Sequence, residues 1–198
     1  TRSPGRGCGR GFYRSHWLLA EEIAYTGAQL RSGWAQQRTG SGGDVAVAFF
    51  GPCDVAPEHM VDGEDLAAGA RIASPRMLHL IIEHPGLARR EITLRQRLLM
   101  AIAGELINRD LGEALLVRRG DDLYLRERKL SVSVATTSPT SGLIHSGFNV
   151  RGAGAPVPAV GLEELGVDPA GFAQKLLGAY VEELAGAAAA AAKVRPVP

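Results

Sequence analysis

Gly120 to Val150 reads GDDLYLRERKLSVSVATTSPTSGLIHSGFNV. A Gly-Asp-Asp turn, a lysine opening an apolar strand and an Ile-His-Ser-Gly-Phe-Asn strand follow one another in this block. Its hydrophobic period of two predicts strands at Leu123–Arg126, Lys129–Thr136 and Leu143–Val150. On the second, Lys129, Ser131 and Ser133 share one face and Leu130, Val132 and Val134 the other. On the third, His145, Gly147 and Asn149 oppose Ile144, Phe148 and Val150. If the strands pair with apolar sides matched, a lysine, two serines, a histidine and an asparagine line one face. Gly147 would there admit a ligand close to the backbone. On the pattern alone, a solvated face of an antiparallel sheet is the simpler reading, and His145 alone reads as structural.

Upstream, Ala114–Arg119 is a further strand, joined through Gly120-Asp121-Asp122 by a link short enough for a hairpin. Asp44–Phe50 is a β-prone run closed by Gly51-Pro52, and Met77–Glu83 alternates Leu78, Leu80 and Ile82 against His79, Ile81 and Glu83. Three segments carry helical spacing: Gly27–Gln37 with Leu30 and Trp34, Ile92–Asn108 with Leu94, Leu98, Ile102 and Leu106, and a stretch after Asp168-Pro169 with Phe172, Leu176, Tyr180 and Leu184. Asp168 is the expected N-cap and Pro169 the first helical residue. Helices mixed with adjacent strands, without regular βαβ alternation, predict an α+β layer architecture around an antiparallel or mixed sheet.

The 198 residues suit one domain with a sizeable core. We expect a flexible basic Gly/Arg arm over residues 1–20, one domain over 21–185, and a low-complexity tail over 186–198 in which an alanine run extends a helix and then frays. Lys plus Arg (22) nearly balances Asp plus Glu (21), leaving no global field for nucleic acid or an anionic membrane. Two cysteines, Cys8 and Cys53, make neither a disulfide framework nor a zinc site. No apolar run approaches the ~20 residues of a membrane span, and nothing resembles a secretory signal. A cytoplasmic setting is expected.

Taken in order, Val117-Arg118-Arg119, Gly120 to Leu125 and Arg128-Lys129-Leu130 resemble the biotin and lipoate protein ligases. In those enzymes a strand, an Asn-Asp-Leu turn, a short strand and a Lys-Ile or Lys-Leu pair follow one another. Asp121 stands where they often have Asn, Asp122 matches their aspartate, and Lys129 matches their active-site lysine. His145 to Val150 is similar to the His-Gly-x-x-Leu-Asn-Val element of the related octanoyltransferases. Gly42-Gly43-Asp44 followed by Gly51-Pro52 resembles their Arg-Gly-Gly-Asp and His-Gly-Pro-Gly stretches. Gly51 to Val55, His59 to Asp62 and the Lys129–Asn149 block resemble more closely a prokaryotic family of the same superfamily, domain of unknown function 366, from Tyr25 onward.

The resemblance implies a class II synthetase-like α+β domain, with a mostly antiparallel sheet flanked by helices. It implies Lys129, Asp122, His145 and Asn149 as catalytic residues. It implies Gly42, Gly43, Asp44, Gly51, Cys53, Ser131 and Gly147 as the substrate or nucleotide site, with Gly42 and Gly43 beside Lys129. ATP and Mg²⁺ follow as cofactors, a small carboxylate or nucleotide as ligand, and an acceptor protein and a homodimer as partners. In that chemistry an ammonium between carboxylate and phosphate stabilises charge at the reacting centre, and Asp122 would fix the lysine or hold magnesium.

Two departures bear on the reaction. Ser41 replaces the arginine before the glycine pair, with Arg38 three residues away. Val160 replaces the cysteine of a Pro-Cys-Gly turn, so no thioester forms there. Cys53 is either a relocated nucleophile, with His59 or His145 as base, or a small buried side chain. Asp54, Glu58, His59, Asp62, Glu64 and Asp65 form either a divalent-metal segment or a polar loop entering a helix. His79 and Glu83 read as a solvated strand edge, with the pocket as the alternative. Three functions compete: an adenylate-forming or acyl-transferring enzyme, a non-catalytic binder of a carboxylate or nucleotide, and an amidohydrolase or transferase using Cys53.

Overall fold

The computed structural model describes residues 16–197. In chain order it has β1 (His16–Glu22), α1 (Trp34–Thr39), β2 (Val45–Asp54), α2 (Gly63–Ala67), β3 (Ala73–Pro85), α3 (Arg89–Leu111), β4 (Leu116–Arg119), β5 (Asp122–Leu125), β6 (Arg128–Lys129), β7 (Ser131–Thr137), β8 (Ser141–Asn149) and α4 (Pro169–Lys193). Five strands form one sheet in the order β1-β2-β3-β8-β7, and β4-β5-β6 form a small second one. Among these eight strands only the β1–β2 pairing is parallel. The architecture is α+β, as the switches of period predict.

Both faces of the large sheet are covered. Leu78, Leu80, Ile82, Ile144 and Phe148 pack against Ile92, Leu99, Met100 and Ala103 of α3 and against Phe172, Leu176 and Tyr180 of α4. On the other face Val45, Val47, Phe49, Met77 and Ile81 pack under Trp34 and Tyr25. This second cover buries His79 and Glu83 (0% and 2% exposed), which corrects the solvated-edge reading. Glu83 is accommodated because its carboxylate accepts the Gly33 amide at 3.0 Å and the Ser141 hydroxyl at 2.8 Å.

Three sequence expectations shift. His16–Glu22, most of it assigned to the basic arm, pairs with β2, and Trp17, Leu18 and Leu19 pack against the two cores. An apolar run beside a sheet edge gains more by burial than as a solvated arm. Residues 1–15 of that arm lie outside the described residues. The first helix begins only at Trp34, because Gly27 and Gly33 adopt left-handed backbone (φ 90° and 77°). The core face of α3 runs through Ile92, Gln96, Leu99, Met100, Ala103 and Leu106, leaving Leu94 61% exposed. In α4, Asp168 caps the N-terminus by accepting the amides of Ala170 and Gly171, and the alanine run stays helical to Lys193. No helix among the described residues is long and apolar enough to cross a membrane.

Candidate functional site

Gly120, at φ 65°, closes the two-residue turn between β4 and β5 and sets Arg119 opposite Asp122. The next turn places Tyr124 opposite Lys129. Lys129 and Asp122 thereby meet, Nζ to Oδ2, at 2.6 Å. Burial pushes the Asp122 carboxyl up to about 6 although the ammonium pulls it down. Burial disfavours the Lys129 charge too, but Asp122 outweighs it and holds the lysine above its ordinary value. The second carboxylate oxygen, Asp122 Oδ1, is buried and has no hydrogen-bond partner among the described residues.

The strand changes face immediately after Lys129. Leu130 and Ser131 both turn toward the α3 side: Leu130 joins that core, and the Ser131 hydroxyl accepts the Leu123 amide at 2.9 Å. Ser133 accepts a hydrogen bond from Gln96 of α3 and bonds the Ser146 hydroxyl, while Val132 and Val134 stand on the other strand face beside Gly147 and His145; Ser133 still borders the cavity described below. Lys129 therefore does not share a face with Ser131 and Ser133, which corrects the uninterrupted alternation. It does share one with His145 and Asn149. Asn149 fastens the arrangement by donating from Nδ2 to the Lys129 carbonyl at 3.3 Å.

A cavity of about 350 Å³ opens on this face. Asp121, Asp122, Lys129 and Asn149 border it, and Val55, Met60, Ile72, Met77, Val132 and Val134 supply apolar wall. Asp62, Asp65 and Arg71 add charge from the segment between β2 and β3. His145 lies 3% exposed, with the Tyr25 ring stacked on it at 3.7 Å and 9° between planes. Its Nε2 is 3.1 Å from His79 Nδ1, and His79 Nε2 is 3.3 Å from the Gly51 carbonyl. Burial pushes His79 down to about 4 and His145 well below its ordinary range, so both rings are neutral at pH 7.

Lys129, Asp122, His145 and Asn149 thus border one cavity; the other seven candidates do not line it. Gly42 and Gly43 stand at the opposite end of β2, and a β-carbon on either would meet nothing within 4 Å. Asp44 pairs with His84 at 3.1 Å and Arg95 at 3.7 Å. Burial opposes its ionisation, but those two partners hold its carboxyl below the ordinary value. Arg38, the substitute arginine, pairs with Glu21. Gly51 is glycine because a β-carbon would lie 2.0 Å from the Ile23 carbonyl oxygen. Gly147 makes room for Met77 and Val132, not for a ligand. Cys53 is 3% exposed and burial pushes its thiol up to about 12, the environment of an inert cysteine.

The acidic segment divides. Asp62 caps α2 by accepting the Glu64 and Asp65 amides, as a polar loop entering a helix does. No group of three or more His, Cys, Asp or Glu side chains among the described residues is placed to hold a metal ion. Sequence reasoning missed Tyr25, Met77 and Arg71. The alternation of β3 puts Met77 and His79 on one face and could have found them; Tyr25 stands outside any periodic run and gave no signal.

Residues 15–195 match the family described as Domain of unknown function (DUF366). The chain belongs to this family. A relative, uncharacterized protein MJ0805 of Methanocaldococcus jannaschii, is 35% identical over 161 residues, 78% of this chain and 72% of its own. A solved protein of unknown function from Pyrococcus horikoshi is 42% identical with a TM-score of 0.85, covering 93% of this chain and 100% of its own. Biotin protein ligase from Leishmania major, in complex with biotinyl-5-AMP, shares the fold at 13% identity and a TM-score of 0.56, over 85% of this chain and 74% of the ligase. A lipoate-protein ligase A bound with ATP does so at 16% identity and a TM-score of 0.50, over 84% of each chain. The DUF366 chain therefore has the biotin/lipoate ligase fold.

Proposed function

We propose that this DUF366 protein binds a small amphipathic carboxylate, with the carboxylate at Lys129 and the apolar body along Met77, Ile72 and Val132, and activates it. One observation carries the reading: a lysine held as a cation by Asp122, at the border of a cavity with apolar wall from Ile72, Met77 and Val132. Cavities near 350 Å³ fall at the small end of the ~300–1,000 Å³ usual for organic ligands. In activation a carboxylate oxygen would attack the α-phosphate of a nucleoside triphosphate co-substrate, the bond to pyrophosphate breaking as the acyl–phosphate bond forms. The ammonium would orient the carboxylate and stabilise the negative charge there. The fold supports this chemistry, since the Leishmania major neighbour holds an acyl-adenylate.

The residues present fit magnesium and a triphosphate poorly. They assemble no group of three metal-ligating side chains, so no step is routed through a metal. The glycine pair expected to cradle phosphates lies away from the cavity. Four aspartates, Asp62, Asp65, Asp121 and Asp122, face two cations, Arg71 and Lys129, around it. That balance favours a second reading, carboxylate binding without activation.

ATP–pyrophosphate exchange across biotin, lipoate, octanoate and related acids, run beside calorimetry, separates the two. Exchange lost in Lys129→Ala supports activation. Binding with no exchange by any acid selects the second reading, and absence of binding rejects both.

A further inference from the structure

The tautomers of the two buried histidines follow from their partners. The Gly51 carbonyl can only accept, so His79 Nε2 carries a hydrogen and donates it at 3.3 Å. His79 is neutral, so its Nδ1 is a bare lone pair. It faces His145 Nε2 at 3.1 Å, and His145 Nε2 must then be the donor. His145, neutral as well, is left with a bare Nδ1, to which no described residue donates. The imidazole borders the cavity beneath Tyr25. Nδ1 accepts no hydrogen bond from a described residue, and a ligand O–H or N–H in the cavity would supply one.

This acceptor and the lysine are anchored at separate points of the chain. Asn149 bonds the Lys129 carbonyl, and His145 is four residues back along β8, which at ~3.3 Å per residue separates the two backbone positions by about 13 Å. Between them the walls are Met77, Val132 and Val134. The backbone anchors of the cation and of the neutral lone pair are thus spaced along the cavity wall, with apolar Met77, Val132 and Val134 beside them.

We propose that the cavity selects carboxylates bearing an O–H or N–H donor at the end remote from the carboxylate, with His145 Nδ1 as the acceptor that distinguishes them. The proposal rests on the carboxylate reading above and names the class of acid.

The test is calorimetry on the full chain with straight-chain acids of six, eight and ten carbons, each paired with its ω-hydroxy counterpart. For the chain length that spans the cavity, the hydroxy acid should bind about ten-fold tighter. His145→Phe should abolish or reverse that preference, read as the ratio of the two affinities in each protein. Equal or tighter binding of every plain acid by the wild-type protein overturns the selectivity and leaves the carboxylate reading standing. Failure of all six acids to bind removes the carboxylate reading and this inference with it. The wild-type comparison decides even if His145→Phe does not fold, and a folded variant that keeps the preference rejects His145 as its source.

Discussion

Asp122 holds Lys129 at 2.6 Å from a side chain whose other oxygen has no partner among the described residues. The lysine thus compensates a buried charge, and Lys129→Met should destabilise the protein. Breaking a part-buried pair of this kind costs about 1–3 kcal/mol at pH 8. Folding raises the Asp122 pKa from its ordinary 3.8 to about 6, so the folded state favours the protonated acid. Its stabilisation is present at low pH and is lost as pH rises through 6. The cost of Lys129→Met should therefore shrink at pH 5, and adding Asp122→Asn should recover stability at pH 8. Urea unfolding at the two pH values measures both.

The same pair makes carboxylate binding pH-dependent. Above pH 6 the ionised Asp122 offsets the Lys129 charge that a ligand carboxylate would meet. A bound anion then favours protonation of Asp122, so binding should take up a proton and tighten as pH falls from 8 to 6. Asp122→Asn should remove that dependence and bind about ten-fold tighter at pH 8, a gain of ~1.4 kcal/mol. Calorimetry in two buffers of different ionisation enthalpy reads the proton uptake directly.

His79 titrates the opposite way. Burial lowers it from the ordinary 6.5 to about 4, so the unfolded chain binds the proton first as pH falls. Its contribution is complete above 6.5 and is lost between about 6.5 and 4, at most ~3.4 kcal/mol at 1.36 kcal/mol per pH unit. His79→Gln should flatten the stability profile over that window. A profile as steep as that of the wild-type protein would show that His79 does not set it.

Cys53 should behave as an inert core atom. Iodoacetamide on the folded protein should leave Cys53 unmodified, and urea should expose it, as peptide mass spectrometry would show. Cys53→Ala should keep any carboxylate binding or exchange activity within about two-fold.

Two glycines that the resemblance assigns to one site should respond oppositely. Gly51→Ala drives a β-carbon into the Ile23 backbone, a clash that backbone movement alone can relieve, and should cost more than about 3 kcal/mol. Gly42→Ala meets nothing within 4 Å and should fall within about 0.5 kcal/mol of the wild-type protein, with unchanged carboxylate affinity. Thermal melts of both variants suffice.

The site was legible in the sequence where one local pattern ran unbroken. Alternation in β8 put His145 and Asn149 on one face, and the resemblance named Asp122 beside Lys129, which the two tight turns bring together. It failed where tertiary contacts override period. Ser131 and Ser133 turn inward because the Leu123 amide and Gln96 need hydrogen-bond partners there. His79 is buried because α1 and Tyr25 cover a sheet face that a strand pattern alone leaves open. The glycine pair carries a resemblance in sequence, but distance along β2 separates it from the cavity. Leu94 shows that four-residue spacing alone does not select the buried side of a helix.

The adjacent inward residues Leu130 and Ser131 amount to a change of parity in one strand path. Counting by twos from Val132 would send the residue at 129 toward α3; the extra residue sends it to the cavity. The cation's location is thus a matter of arithmetic along the chain, independent of lysine chemistry. A deletion of one residue between β6 and β7 would keep every side chain of the site in the sequence. It would still drive an ammonium among Leu78, Leu123 and Phe148, or unpair β6 from β5 to avoid it.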